Sequence, residues 1–245
     1  MNRPKPVHPV STFIKLPFMP QLHHFRLSPY CRKIRILAGE LDETLTLTDA
    51  QPWARDPAFL ALNPAATTPV LELDGETASG AGICPSSAIA EYLIETAENG
   101  QRVLGNTAEE RAECRRLTAW FDERFGAEVS DLMVAEKVLK RLMRGGSPDV
   151  VSIRMARHNI RIHLNYVTFL TERRNWLAGR DFTLADMAAA AHFSVMDYLD
   201  EVPWNKHPDA RDWYQRVKSR PSFRSLLADR MGGFQPPAHY DDLDF

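Results

Sequence analysis

The sequence predicts a small α/β domain followed by an all-helical domain, and three observations carry that expectation. Short apolar runs and helical spacings alternate through the first hundred positions, whereas long amphipathic helices take over from Thr107. The run Leu22–Leu27 ends at Ser28-Pro29, where a strand should feed a helix. With 245 residues, 44% of them hydrophobic, two modest cores fit the length better than one.

The stretch around Ser28 organises the first domain. Ile34, Leu37, Ala38 and Leu41 recur at helical spacing after it. Ser28 suits the N-cap, Pro29 the first helical position, and Cys31 then falls in the first turn. Backbone N–H groups and the helix dipole favour an anion there and lower a cysteine pKa. Two readings fit: a thiolate site at Cys31, or a plain cap at Ser28 above a small buried cysteine.

Thr44–Thr48 alternates strictly, as a half-buried strand does, and a strand–helix–strand order implies parallel pairing. Asp49–Pro57 reads as a loop, and Asp56-Pro57 opens a short helix that Asn63-Pro64 stops. Trp53 in that loop either anchors it by packing, the favoured reading, or stands out as a contact residue. Thr68–Leu73 reads as a strand starting at a proline, and Asp74-Gly75 as a hairpin turn. The return strand should end near Ile83-Cys84, and Pro85-Ser86-Ser87 should open a helix with Ala88, Ile89, Tyr92 and Leu93 on its apolar face.

In the second half, Ala108–Arg144 carries Leu117, Trp120, Phe121, Phe125, Val129, Leu132 and Met133 at helical spacing, and Gly145–Pro148 ends it. A second long helix is expected over residues 149–174. Thr183 and Asp186 form a capping box for Met187–Leu199, whose apolar residues on nearly every face predict a buried central helix. Trp213–Lys218 and a segment from Arg220-Pro221 complete the set. The tail 231–245 cannot be helical throughout, and its apolar Tyr240, Leu243 and Phe245 among acids suit a docked peptide, on its own surface rather than a partner's. The expected layout is a disordered, Pro-rich arm over 1–20, an α/β domain over 21–97, a linker over 98–106, a helical domain over 107–230 and the tail.

A net charge of -2 gives no excess of positive charge for nucleic acid. Cys31, Cys84 and Cys114 are odd in number and widely spaced, which argues against a disulfide framework or a zinc site. His23-His24 and His158 with His163 lack metal spacing, so no metal is expected. The longest apolar stretch, Met187–Ala191, is far too short to span a bilayer. No membrane insertion and a cytoplasmic location follow as expectations. Lys137, Lys140, Arg141 and Arg144 face Arg154, Arg157 and Arg161 across the helix hairpin; solvated faces explain them better than a positive groove for an acidic peptide or anionic ligand.

Ser28-Pro29-x-Cys31, Asn63-Pro64-Ala65, Thr68-Pro69-Val70 and Ser86-x-Ala88-Ile89, followed by Thr183-x-x-Asp186 and Arg220-Pro221-Ser222 in a helical half, resemble the glutathione S-transferase family over about Gln21–Leu227. The resemblance implies a thioredoxin-like first domain with a cis bond before Pro69, which turns the Val70 backbone toward the cysteinyl part of glutathione. It implies that Ser28 activates the glutathione thiol and that Ser86 helps hold the γ-glutamyl end. Cys31 aligns with the second cysteine of thioredoxin-type pairs and is not the nucleophile. Pro85 stands where the family has an acidic residue for the ligand's ammonium. The loss of one charged hydrogen bond is worth about 1.5–3 kcal/mol, so glutathione should bind weakly and no cofactor is required.

Pro52-Trp53-Ala54-Arg55, Trp120–Glu123, Glu136–Val138, Lys140–Met143 and Ala238–Phe245 are similar to a branch of that family in alphaproteobacteria that binds the division GTPase FtsZ. This resemblance implies an interaction protein of cytokinesis, homodimeric, located at the division site and lacking efficient transferase activity. Trp53 and Arg55 would be its contact anchors, with Lys137, Lys140, Arg141, Tyr240, Asp242, Leu243 and Phe245 as further partner-binding candidates. The alternative is a thiol transferase or isomerase in which Ser28 activates glutathione.

Overall fold

The structure, a computed structural model, describes residues 19–73 and 82–245. Strand β1 (Gln21–His24) sits at the centre of a three-stranded sheet of order β2-β1-β3. It pairs in parallel with β2 (Thr46–Asp49) and antiparallel with β3 (Val70–Glu72), so that Leu22 faces Leu47 on one side and Leu71 on the other. The first strand is shorter than the apolar run suggests. Phe25–Leu27 turn instead, with the Ser28 N–H donating to the Phe25 carbonyl at 2.9 Å. β2 is not half-buried as its alternation predicts; as an edge strand it leaves Leu47 exposed.

Helix α1 (Pro29–Glu40) starts at the Ser28 cap, whose Oγ accepts the Cys31 N–H at 3.4 Å. Its N-terminal three-quarters are almost wholly buried, including Arg32, Lys33 and Arg35. Asp56 caps the short helix α2 (Pro57–Leu62) by accepting the N–H groups of Ala58 and Phe59. Asn63 then donates to the Thr67 carbonyl at 2.9 Å and shapes the loop that leads to Pro69. The Asp74-Gly75 turn and the start of the return strand lie outside the described residues, as does the arm up to residue 18. What is described of the return strand is Ile83, which exchanges two backbone hydrogen bonds with Leu71. Helix α3 (Ser86–Thr96) buries Ile89, Ala90, Leu93 and Ile94, so its apolar face includes Ala90 rather than Ala88, which is exposed.

The helical half begins with α4 (Ala108–Ala119), started by a Thr107/Glu110 capping box. The helical run continues unbroken through a π-helical segment (Trp120–Ser130), α5 (Asp131–Met133), a second π-helical segment (Val134–Leu139) and α6 (Lys140–Leu142). Gly126 lies where a Cβ would stand 2.5 Å from the Tyr30 hydroxyl, so only glycine lets α1 come this close. Helix α7 (Val150–Thr171) stops three residues before the expected end. α8 (Leu184–Tyr198) is buried along its whole length, as its all-round apolar pattern requires. Asp186 reaches back to the Thr183 N–H at 3.1 Å and also accepts from the Leu177 N–H and the Trp213 indole. Burial nevertheless pushes its pKa up to about 6. α9 (Pro208–Lys218) and α10 (Pro221–Leu227) close the domain.

The tail docks on its own chain. Tyr240 is fully buried, takes a hydrogen bond from Arg32 at 3.0 Å and donates to the Leu226 carbonyl at 3.2 Å. Lys218 donates to the carbonyls of His239 and Asp242, His239 pairs with the buried Asp197 at 3.0 Å, and Phe245 packs on Trp204 and Tyr214. Tyr240→Phe removes one partner of a buried guanidinium and one of the two donors to the Leu226 carbonyl, which keeps the Asp229 N–H. It should cost about 1–3 kcal/mol of folding free energy in urea titrations, and an unchanged midpoint would contradict the docked tail.

Candidate functional site

A cleft of about 1080 Å³ separates the sheet domain from the helical run. Its sheet-side wall comes from the start of α1, the loop carrying Pro52, Trp53 and Arg55, the stretch from Ala65 to Pro69, and Pro85–Ser87. The opposite wall comes from Arg115, Thr118, Asp122, Glu123, Asp131, Val134, Leu139 and Met143.

Ser28 lines this cleft, held by its cap hydrogen bond with one edge toward the opening. Cys31 lies behind it, fully buried, with the Phe25 N–H at 3.4 Å from Sγ. Burial pushes the Cys31 thiol up in pKa and outweighs the hydrogen bonds from Ser28, Phe25 and Thr68. The thiolate reading of Cys31 is therefore corrected: the helix N-terminus cannot compensate for complete desolvation. The Thr68-Pro69 peptide bond is cis, as expected, and Pro69 forms part of the wall, whereas the Val70 side chain is buried in the sheet. The Cys84-Pro85 bond is also cis. The N-terminus of α3 opens on the cleft through Ser86 and Ser87, and its first turn holds no acidic residue and no side-chain cap.

The residues present thus fit glutathione at one end only. A hydroxyl and a cis-proline loop are in place for the thiol portion, while the helix start offers serines but no carboxylate for an ammonium group.

Sequence reasoning missed the chemistry of the far wall. Lys33, fully buried, forms an ion pair with Asp122, and the His192 ring stands 3.5 Å from the same carboxylate. Burial opposes ionisation of Asp122, yet Lys33 and His192 hold its pKa below the usual range. Ser130 meets His192 Nδ1 at 2.6 Å, but both are wholly buried, so this Ser-His-Asp arrangement braces the wall and offers no nucleophile. The Tyr30 hydroxyl donates to Asp131 at 3.2 Å, and burial followed by Asp131 drives its pKa upward, which keeps it a neutral donor. Lys33 sits between two arginines on a helix that should show one polar face, and nothing in that spacing marks it as buried.

Trp53 is half-buried, edge-on to Phe25 with ring centroids 5.4 Å apart, and still lines the cleft. The packing reading and the contact reading thus both describe it. Arg55 closes the one-turn helix in a left-handed conformation (φ 51°), is exposed, and has no ion-pair partner among the described residues. The other partner-binding candidates are engaged within the chain. Lys137 binds Glu201 at 2.6 Å, Arg157 grips the same carboxylate at 2.7 and 2.8 Å, Lys140 meets Glu136 at 2.5 Å, and Arg141 lies over the Phe234 ring. Glu201 and Glu136 neutralise Lys137, Arg157 and Lys140, so no continuous positive groove runs across this part of the hairpin. Tyr240 has no exposed surface and Phe245 and Leu243 are half-buried, whereas the Asp242 side chain is exposed. Among the described residues no cluster is placed to hold a metal ion, and no helix is long and apolar enough to cross a membrane.

A thioredoxin-like sheet domain joined to a helical domain across a cleft that holds a capping serine and a cis-proline loop defines a class. The chain belongs to the glutathione S-transferase family: the family's N-terminal domain model matches residues 22–102 and its C-terminal domain model residues 155–221. Within that family it is 46% identical over 224 residues to FtsZ-localized protein A of Caulobacter vibrioides, covering 91% of this chain and 97% of the relative. Among solved structures, a glutathione S-transferase from Rhodospirillum rubrum superposes with a TM-score of 0.87 at 46% identity, covering 93% of this chain and all of that one. FzlA from C. crescentus superposes with a TM-score of 0.86 at 45% identity over the same shares.

Thiol labelling checks the placement of the cysteines. Cys84, partly exposed, should react with an aromatic disulfide reagent in the native protein, and Cys31 and Cys114 only after unfolding. Loss of the rapid phase in Cys31→Ser rather than Cys84→Ser would restore the reactive-thiol reading.

Proposed function

We propose that this protein is an FtsZ-binding member of the glutathione S-transferase fold that acts in cytokinesis, as a cytoplasmic homodimer at the division site and without efficient transferase activity. The observation that carries the reading is 46% identity, along nearly the whole chain, to a protein named for its localisation with FtsZ. The α3 start without a carboxylate supports the second half of the proposal, since it removes an ionic anchor for glutathione.

Trp53 and Arg55 at the cleft mouth are the proposed anchors. A tryptophan braced edge-on by Phe25 presents a rigid apolar face, and the neighbouring guanidinium has no ion-pair partner among the described residues to give up. Two such mouths in a dimer would engage neighbouring protomers of a filament, and avidity would then add to modest affinity. A second reading, transfer of groups to the glutathione thiol, rests on the Ser28 hydroxyl at the cleft wall, where a donor beside a helix N-terminus stabilises a thiolate.

Co-pelleting with GTP-assembled FtsZ filaments tests the proposal. The wild type and Ser28→Ala should pellet alike, while Trp53→Ala, folded by circular dichroism, should lose about tenfold or more in affinity. Absence of wild-type co-pelleting at micromolar concentrations would sink the reading.

A further inference from the structure

We propose that the tip of the helix hairpin between α6 and α7 is a peripheral docking site for an anionic lipid surface. Residues 141–151 are all exposed, and Gly146, at φ +92°, faces open solvent at the turn. Within this short projection Met143 is 53% exposed, Val150 64%, Val151 62% and Met155 54%. Aliphatic residues left singly on a surface need no explanation, but a group of them at one projecting end does.

The charges at the tip select the occupant. Arg144 and Arg154 flank the aliphatic group and have no ion-pair partner among the described residues. The nearby acids are already committed: Asp149 caps α7 by accepting the N–H groups of Val151 and Ser152, and Glu136 accepts the Asp149 N–H at 2.6 Å and holds Lys140. These bonds also tie the start of α7 to the preceding helical run, so the tip is braced. A projecting tip with aliphatic side chains at its end and free guanidinium groups beside them matches the boundary of a bilayer, where apolar groups enter the acyl region and cations meet anionic headgroups. No spanning segment is involved; Met143 is shared with the far wall of the cleft, whereas Arg144, Val150, Val151, Arg154 and Met155 lie outside its lining.

The test is sedimentation of the full chain with vesicles of pure phosphatidylcholine and with vesicles containing about one-third phosphatidylglycerol. Wild type should bind the anionic vesicles, less as salt is raised, and should not bind the neutral ones. Both Arg144→Glu with Arg154→Glu and Met143→Ser with Val150→Ser and Val151→Ser should weaken binding about tenfold or more. These surface changes should leave thermal melting in place, and Trp53→Ala should bind vesicles as wild type does. Failure of the wild type to bind anionic vesicles, or wild-type binding by the aliphatic variant, overturns the proposal. A change from dimer to monomer in the aliphatic variant, read by light scattering, places a second copy on the tip and overturns it equally.

Discussion

The structure depends on a row of buried cations along α1. Arg32, Lys33 and Arg35 are almost without solvent contact, and a charge placed there is tolerated only where an anion or hydrogen-bond acceptor meets it. Each finds its partner outside the sheet domain. Lys33 takes Asp122 of the helical run, Arg35 takes Asp229 at 2.7 Å after α10, and Arg32 takes Ser194 of α8 and Tyr240 of the tail. Four segments distant in sequence are thereby drawn onto one helix, and both walls of the cleft are fixed relative to each other. The same arrangement explains why the tail is ordered: without Tyr240 a fully buried guanidinium would lack one of its acceptors.

This framework accounts for the contrast between the cleft's shape and its chemistry. The fold retains the family's division into two domains and the volume between them, yet its walls are held by internal ion pairs rather than by groups left free for a ligand. In the cleft wall, Asp122 is engaged by Lys33 and Asp131 by the Tyr30 hydroxyl. Arg55 is different, since it stands exposed at the mouth without an ion-pair partner among the described residues, near Trp53. A fold does not dictate a function, and a scaffold built for a small ligand can present its rim to a protein instead.

The sequence made the two domains legible because their hydrophobic periods differ, and the caps at Ser28, Asp56 and Thr183 fall where the residue types place them. The all-round apolar pattern of α8 correctly marked the centre of the second domain. Legibility failed where tertiary context overrides local pattern. Strict alternation in β2 gave no sign that the strand is an exposed edge, and the helix start left a thiolate and a small buried cysteine both open at Cys31, which its complete burial decides for the second. The buried row on α1 was opaque for the same reason: cations on a helix read as a solvated face until their distant partners are known. For the basic hairpin the preference for solvated faces over a positive groove was legible, but not the partner: Glu201, remote in sequence, pairs with Lys137 and Arg157.

The proposed function requires a cleft that keeps the family's architecture with a weakened grip on glutathione. Calorimetric titration of reduced glutathione into the wild-type protein tests it most directly. A dissociation constant weaker than about 1 mM, unaffected by Ser28→Ala, is the predicted result. Binding in the micromolar range that is lost in Ser28→Ala would contradict the account and return the cleft to thiol chemistry.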